Sequence, residues 1–230
     1  MSFIEIASED GPTFRAYLAR PETTPAPGLV LLQEVYGVNR FMRAVADYWA
    51  HHGFTVVVPD LYWRLGEIEL DPEVDGHRER ALETRKGLDT HKAVADTLAA
   101  VHALRTMEEC TGRVGTAGYC LGGLLAYLTA TRGDADCNVS YYGVGVENHL
   151  DEADRINRPL LLHVGETDPY TPPEVVEQLR RRFAGSDLVQ IHVYEDTGHA
   201  FAREGASSDV PEMRELANGR TLELLKTALG

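Results

Sequence analysis

Cys120 lies in the run Gly118-Tyr119-Cys120-Leu121-Gly122, a G-x-S-x-G nucleophile elbow with sulfur in place of the hydroxyl. From Arg113 to Tyr127 the chain reads as strand, sharp turn and helix. The glycines are required because the reversal is so tight that a Cβ beside the nucleophile would strike the neighbouring strand or helix. Such a turn lifts the thiol to a helix N-terminus, where free N–H groups and the helix dipole favour a thiolate. The N–H of Leu121 then forms one half of an oxyanion hole. A small buried cysteine in a glycine-rich turn produces the same local pattern, so the partners decide. Asp168 and His199 follow in the order nucleophile, acid, histidine. His199 is expected to take the thiol proton and Asp168 to hold the imidazole in orientation. Asp134, Asp136, Glu166 and Asp196 compete as carboxylates near strand ends. Asp168 is favoured because it sits in a loop three residues past Gly165, just before the Pro172-Pro173 helix start. The other eight histidines read as surface or structural, and no H-E-x-x-H occurs, so no metal and no cofactor are expected. Gly143-Val144-Gly145 lacks the third glycine of a dinucleotide fingerprint.

These residues need a scaffold that brings strand ends together. Phe3–Ala7 and Thr13–Ala19 alternate, and Asp10-Gly11 between them predicts a hairpin. After a proline-rich connector, Gly28–Leu32 is a continuous apolar run, the mark of a strand buried on both faces. Thr55–Pro59, Arg113–Gly118, Cys137–Tyr142, Pro159–Val164 and Leu188–Tyr194 read the same way. Helical stretches are predicted over Phe41–His52, His77–Met107, Leu121–Thr131, Pro173–Phe183 and Pro211–Ala228. In the second, Val94, Leu98, Val101 and Leu104 form a one-sided stripe. Strands alternating with helices predict a single α/β domain over 1–230, its mostly parallel sheet covered on both faces. Loops at the carboxyl ends of such strands carry the chemistry. Gln33–Gly37, Tyr119–Gly123, Gly165–Asp168 and Thr197–His199 are those loops.

The chain has 230 residues, with 22 Lys+Arg against 36 Asp+Glu and a net charge of −14. This balance excludes nucleic acid and an anionic membrane surface as main partners, since both require a basic footprint. It also argues, on its face, against an anionic small substrate. The three cysteines, Cys110, Cys120 and Cys137, show neither disulfide-framework nor zinc-site spacing. The first ten residues lack the basic and apolar regions of a secretion signal, so a soluble cytoplasmic protein is expected.

From about Pro27 to the last helix, the chain resembles the dienelactone hydrolase (carboxymethylenebutenolidase) family of α/β-hydrolases. The resemblance is carried by Gln33-Glu-Val-Tyr-Gly-Val-Asn39, Pro59-Asp-Leu-Tyr62, Gly118-Tyr-Cys-Leu-Gly-Gly123, Tyr141-Tyr-Gly-Val-Gly145 and Gly198-His-Ala-Phe-Ala-Arg203. It implies a triad of Cys120, His199 and Asp168, and a glutamate, Glu34, that contacts the nucleophile. It further implies a second oxyanion N–H from Val35, and Arg203 and Arg78 as binders of a substrate carboxylate, with Arg80 the competitor to Arg78. Tyr36 joins them as a substrate-binding residue. A carboxylate at Glu34 would oppose thiolate formation at Cys120 by like-charge repulsion until Arg203 or substrate drew it away. Leu82 stands where the family's lactone hydrolases carry a tyrosine.

The implied activity is cysteine-dependent opening of a small carboxylate-bearing enol-lactone, of dienelactone type, through a thioester. The competing enzyme reading is a carboxylesterase or thioesterase for other small acyl groups. The non-enzyme reading is a binding module or thiol redox sensor on the same fold. A monomer or small homo-oligomer with a small-molecule partner is expected.

Overall fold

Apolar runs of five to seven residues, too short for helices and rich in Val and Leu, form the centre of the sheet. The structure, a computed structural model describing residues 2–230, has eight strands. These are β1 (Ser2–Ala7), β2 (Thr13–Ala19), β3 (Ala26–Leu32), β4 (Thr55–Pro59), β5 (Cys110–Tyr119), β6 (Asn138–Tyr141), β7 (Leu160–Gly165) and β8 (Val189–Tyr194). They lie in one sheet of order β1-β2-β4-β3-β5-β6-β7-β8. β1 pairs with β2, and β2 with β4, in antiparallel fashion; all remaining pairs are parallel. The first hairpin closes through Gly11 at φ +102.

Alternate residues of the central strands enter different cores. Val30, Leu32 and Val57 pack on one face with Val94, Val101 and Leu104 of α3 (Thr90–Arg105) and Leu125 and Leu128 of α4 (Leu121–Arg132). Leu29, Leu31, Val56 and Val58 pack on the other with Met42 and Trp49 of α1 (Arg40–His51) and Leu225 of α6 (Pro211–Leu229). This double burial is why the strands read as continuous apolar runs rather than alternating ones. Among the described residues, no helix is long and apolar enough to cross a membrane.

One predicted element is corrected. The helix expected over His77–Met107 is two helices, α2 (His77–Lys86) and α3, separated at Gly87-Leu88-Asp89. The Asp89 side chain accepts from the N–H groups of His91 and Lys92 and so starts α3 afresh. The apolar stripe of Val94, Leu98, Val101 and Leu104 lies wholly in α3, leaving α2 free to take another direction. A 3-10 segment over Val146–Arg155, which the sequence pattern did not announce, follows β6. α5 (Pro173–Arg182) follows β7.

The Asp60–Gly76 excursion is tied down at several points, two of them buried. Buried Asp96 on α3 accepts from Trp63 Nε1 at 2.9 Å and from Arg64. Leu70 N–H donates to the Tyr36 carbonyl at 3.0 Å, while Asn39 Nδ2 donates to the Leu70 carbonyl at 2.7 Å. The excursion approaches Gly37 so closely that a Cβ there would lie 2.0 Å from the Ile68 carbonyl oxygen.

The β5–α4 turn is packed as tightly. A Cβ on Gly118 would lie 2.0 Å from the Gly122 carbonyl oxygen, and one on Gly122 would lie 2.2 Å from that of Leu32. Both obstacles are backbone and have no rotamer with which to yield. Gly122→Ala should therefore cost about 3 kcal/mol, the upper part of the overpacking range, read as a lowered urea midpoint. An unchanged midpoint would mean that α4 moves off β3 freely.

Candidate active site

The β5–α4 turn holds Cys120 at φ 56, ψ −110, a conformation that L residues rarely adopt, immediately before the first residue of α4. The side chain is 8% exposed and borders a cavity of about 440 Å³. Cys110 and Cys137 are also free thiols, but neither borders this cavity. Burial raises the Cys110 thiol and pushes that of Cys137 up to about 12.

Two later loops reach the same place. Asp168 follows β7 and is 1% exposed; its Oδ1 accepts from the Tyr170 N–H and its Oδ2 meets His199 Nδ1, each at 2.8 Å. Gly165 permits the approach of the two loops, because a Cβ there would lie 2.6 Å from the Thr197 carbonyl oxygen. The imidazole is held edge-on by Tyr142 and Tyr170, with ring centroids 5.1 and 4.8 Å away. Burial opposes charge on this imidazole. The Asp168 hydrogen bond, with the charge of Asp168 and the influence of the Cys120 thiol, outweighs burial and pushes His199 up to about 10.

None of the competing carboxylates borders the cavity, and three of them are engaged elsewhere. Asp134 and Asp136 precede β6, at the amino ends of the parallel strands, and pair with Arg105 and Arg113 at 2.5 and 3.0 Å. Glu166 accepts from the Asp196 N–H at 3.1 Å. Among the remaining histidines, His163 is wholly buried between Tyr194 and Thr221, and His77 accepts from the Asp71 N–H.

Glu34, 1% exposed, does not hydrogen-bond Cys120. Its carboxylate accepts from Arg203 Nε at 2.9 Å and Nη2 at 3.0 Å. The Glu34 carboxylate thus spends its hydrogen bonds on a bidentate pair with Arg203, the strongest geometry open to a guanidinium and a carboxylate. Burial works against the Arg203 charge, and Glu34 more than restores it, so its pKa is raised. Arg203 Cζ also lies 5.4 Å from the centroid of the Tyr36 ring. The N–H groups of Val35 and Leu121 belong to residues that border the cavity, and neither donates to a backbone carbonyl.

α2 supplies the opposite wall. Arg78 Nη2 donates to the Tyr170 hydroxyl at 2.9 Å, and Arg78, Leu82 and Arg85 all border the cavity. Arg80 does not, which decides between the two arginines.

A sequence model of the dienelactone hydrolase family matches residues 14–229. The carboxymethylenebutenolidase of Pseudomonas putida is 40% identical over 223 residues, covering 96% of this chain and 94% of that one. Carboxymethylenebutenolidase 1 of Cupriavidus pinatubonensis is also 40% identical, covering 96% and 95%. The chain belongs to the dienelactone hydrolase family. Solved structures agree on the fold. A dienelactone hydrolase-like promiscuous phosphotriesterase from metagenomic libraries aligns with TM-score 0.78 at 19% identity, covering 100% and 99% of the two chains. An esterase of Pyrococcus furiosus aligns with TM-score 0.73 at 19% identity, covering 100% and 93%.

Within this dienelactone hydrolase fold, the cavity residues that the reading of the sequence did not assign to the site include Arg85, Tyr170 and Ser207. Arg85 carried a usable signal, since it follows Arg78 by seven residues and so shares its helical face. Tyr170 and Ser207 carried none, because their approach depends on loop paths.

Two outcomes follow from the geometry. In nuclear magnetic resonance titrations the His199 imidazole should stay protonated well above 6.5, with a midpoint near 10, and Asp168→Asn should lower that midpoint. Because the folded value is raised, the stability from this protonation is complete below about 6.5 and is lost as pH rises through about 10. Glu34→Gln leaves Arg203 buried without its counter-charge and should cost about 3–5 kcal/mol in urea unfolding.

Proposed function

We propose that this protein is a cysteine-dependent hydrolase that opens a small carboxylate-bearing enol-lactone, of dienelactone type, to the maleylacetate-like acid. The observation that carries this reading is the Asp168–His199 hydrogen bond at 2.8 Å, leading to a thiol on a strained turn inside an arginine-walled cavity. Membership in the family and 40% identity to two carboxymethylenebutenolidases support the substrate class.

In this mechanism His199 already holds the thiol proton, and the Cys120 thiolate Sγ bonds to the lactone carbonyl carbon. The electron pair displaced onto oxygen is held by the N–H groups of Val35 and Leu121. Collapse of that oxyanion breaks the ring C–O bond. The enolate leaves readily, because its charge is delocalised, and takes up the proton from His199. Water then adds to the thioester, giving its proton to His199. Cys120 departs as thiolate beside the protonated His199, which restores the starting state. Asp168 orients the imidazole throughout. Arg78 and Arg203 hold the substrate carboxylate.

Wild-type protein should consume dienelactone with loss of its ultraviolet absorbance, and Cys120→Ala should abolish turnover. Arg78→Ala should raise KM by about tenfold or more, the worth of one charge-assisted hydrogen bond. Full activity in Cys120→Ala would refute the nucleophile. Faster turnover of p-nitrophenyl acetate than of carboxylated substrates, with KM insensitive to Arg78→Ala, would favour a neutral-ester hydrolase.

A further inference from the structure

The hydrolase reading assigns Arg78 and Arg203 to one carboxylate and leaves Arg85 without a task. Arg78 and Arg85 are seven residues apart on α2, two helical turns along one face and about 10 Å apart along the axis. Leu82 lies between them, and all three border the cavity that contains Cys120. Arg85 is half-buried, and its guanidinium has no hydrogen-bond or ion-pair partner among the described residues.

The other charged groups of the cavity are accounted for. Arg203 is held by Glu34. Arg78 donates to the Tyr170 hydroxyl. Glu73 accepts from the Ser207 hydroxyl at 3.2 Å and N–H at 3.4 Å. Lys86, beside Arg85, pairs outward with Glu83 at 2.6 Å.

A second observation draws Arg85 toward the reaction centre. Tyr62 is wholly buried and its hydroxyl has no partner among the described residues. The charged groups that act on that hydroxyl are Arg85 and Asp60, together with the Cys120 thiol. Arg85 is thus half-buried on the wall of the cavity that Cys120 also borders. A partly desolvated guanidinium without a counter-charge gains most from an anionic ligand that accepts two hydrogen bonds.

We propose that Arg85 binds a second anionic group of the substrate, so that this enzyme selects esters or lactones with two carboxylates flanking the reacting carbonyl. The proposal rests on the hydrolase reading above. One carboxylate takes the Arg78 and Arg203 end of the cavity, and the other takes Arg85, with apolar carbon between them against Leu82.

The test uses p-nitrophenyl esters of similar length: the monoester of glutarate, with one free carboxylate, and that of tricarballylate, with two. Wild-type kcat/KM should be higher for the tricarballylate ester. Arg85→Gln should lower the ratio of the two kcat/KM values by about tenfold or more, chiefly through KM. Arg85→Lys should recover part of it, because the charge returns without the planar fork. An identical ratio in wild type and Arg85→Gln overturns the proposal while leaving the hydrolase reading intact. No hydrolysis of dienelactone or of either ester by wild type overturns both.

Discussion

The contact between the Gly122 backbone and the Leu32 carbonyl, with Gly118 closed over Gly122, is the constraint on which the site depends. It presses the start of α4 against the end of β3 and holds Cys120 at positive φ. Backbone meets backbone with no side chain between, so the turn has no soft degree of freedom. Strain of about 1–3 kcal/mol persists at such a position only where the surroundings over-determine it. The same contact fixes the Glu34-Val35-Tyr36 loop, because that loop leaves β3 directly after Leu32. One packing decision thereby sets both the proposed nucleophile and the loop that faces it.

Electrostatics in the cavity run against the molecule as a whole. The chain carries −14 overall, yet Arg78, Arg85 and Arg203 all border one concave surface. Low-dielectric walls focus the field of such a cluster, so an acidic protein can attract an anion locally. Glu34 is the counterweight. Bound to Arg203, it neutralises the most buried cation and keeps its own charge off Cys120 by hydrogen-bonding elsewhere. An entering carboxylate that competes for Arg203 acts on both partners at once. Under the proposed function, substrate recognition and the surroundings of Cys120 are thus coupled through a single ion pair.

α2 shows how a short helix changes the character of a site. It is mostly polar and buries only Ala81 completely, so its place comes from its ends and from the excursion before it. His77 takes the Asp71 N–H, and Asp71 in turn pairs with Arg40 of α1. The break at Gly87-Leu88-Asp89 then frees α2 from the direction of α3. A continuous helix would have carried Arg78 and Arg85 along the axis of α3. The two-helix arrangement lays them along the cavity wall instead.

The sequence by itself determined the order of elements, the parallel sheet, the sharp turn at Cys120 and the positions of Asp168 and His199 after later strands. Those features are local: glycine is demanded by a close backbone approach, and an apolar run by burial on two faces. Motif resemblance added Glu34, Arg203 and Arg78 by position, without their contacts. Only the tertiary structure decided that Glu34 pairs with Arg203 rather than with Cys120, that Arg78 and not Arg80 borders the cavity, and that Arg85 joins it. It alone also divided the long helix, since an N-cap at Asp89 competes with a pattern that continues past it. These outcomes depend on where side chains from distant segments meet, and no spacing along the chain encodes that distance.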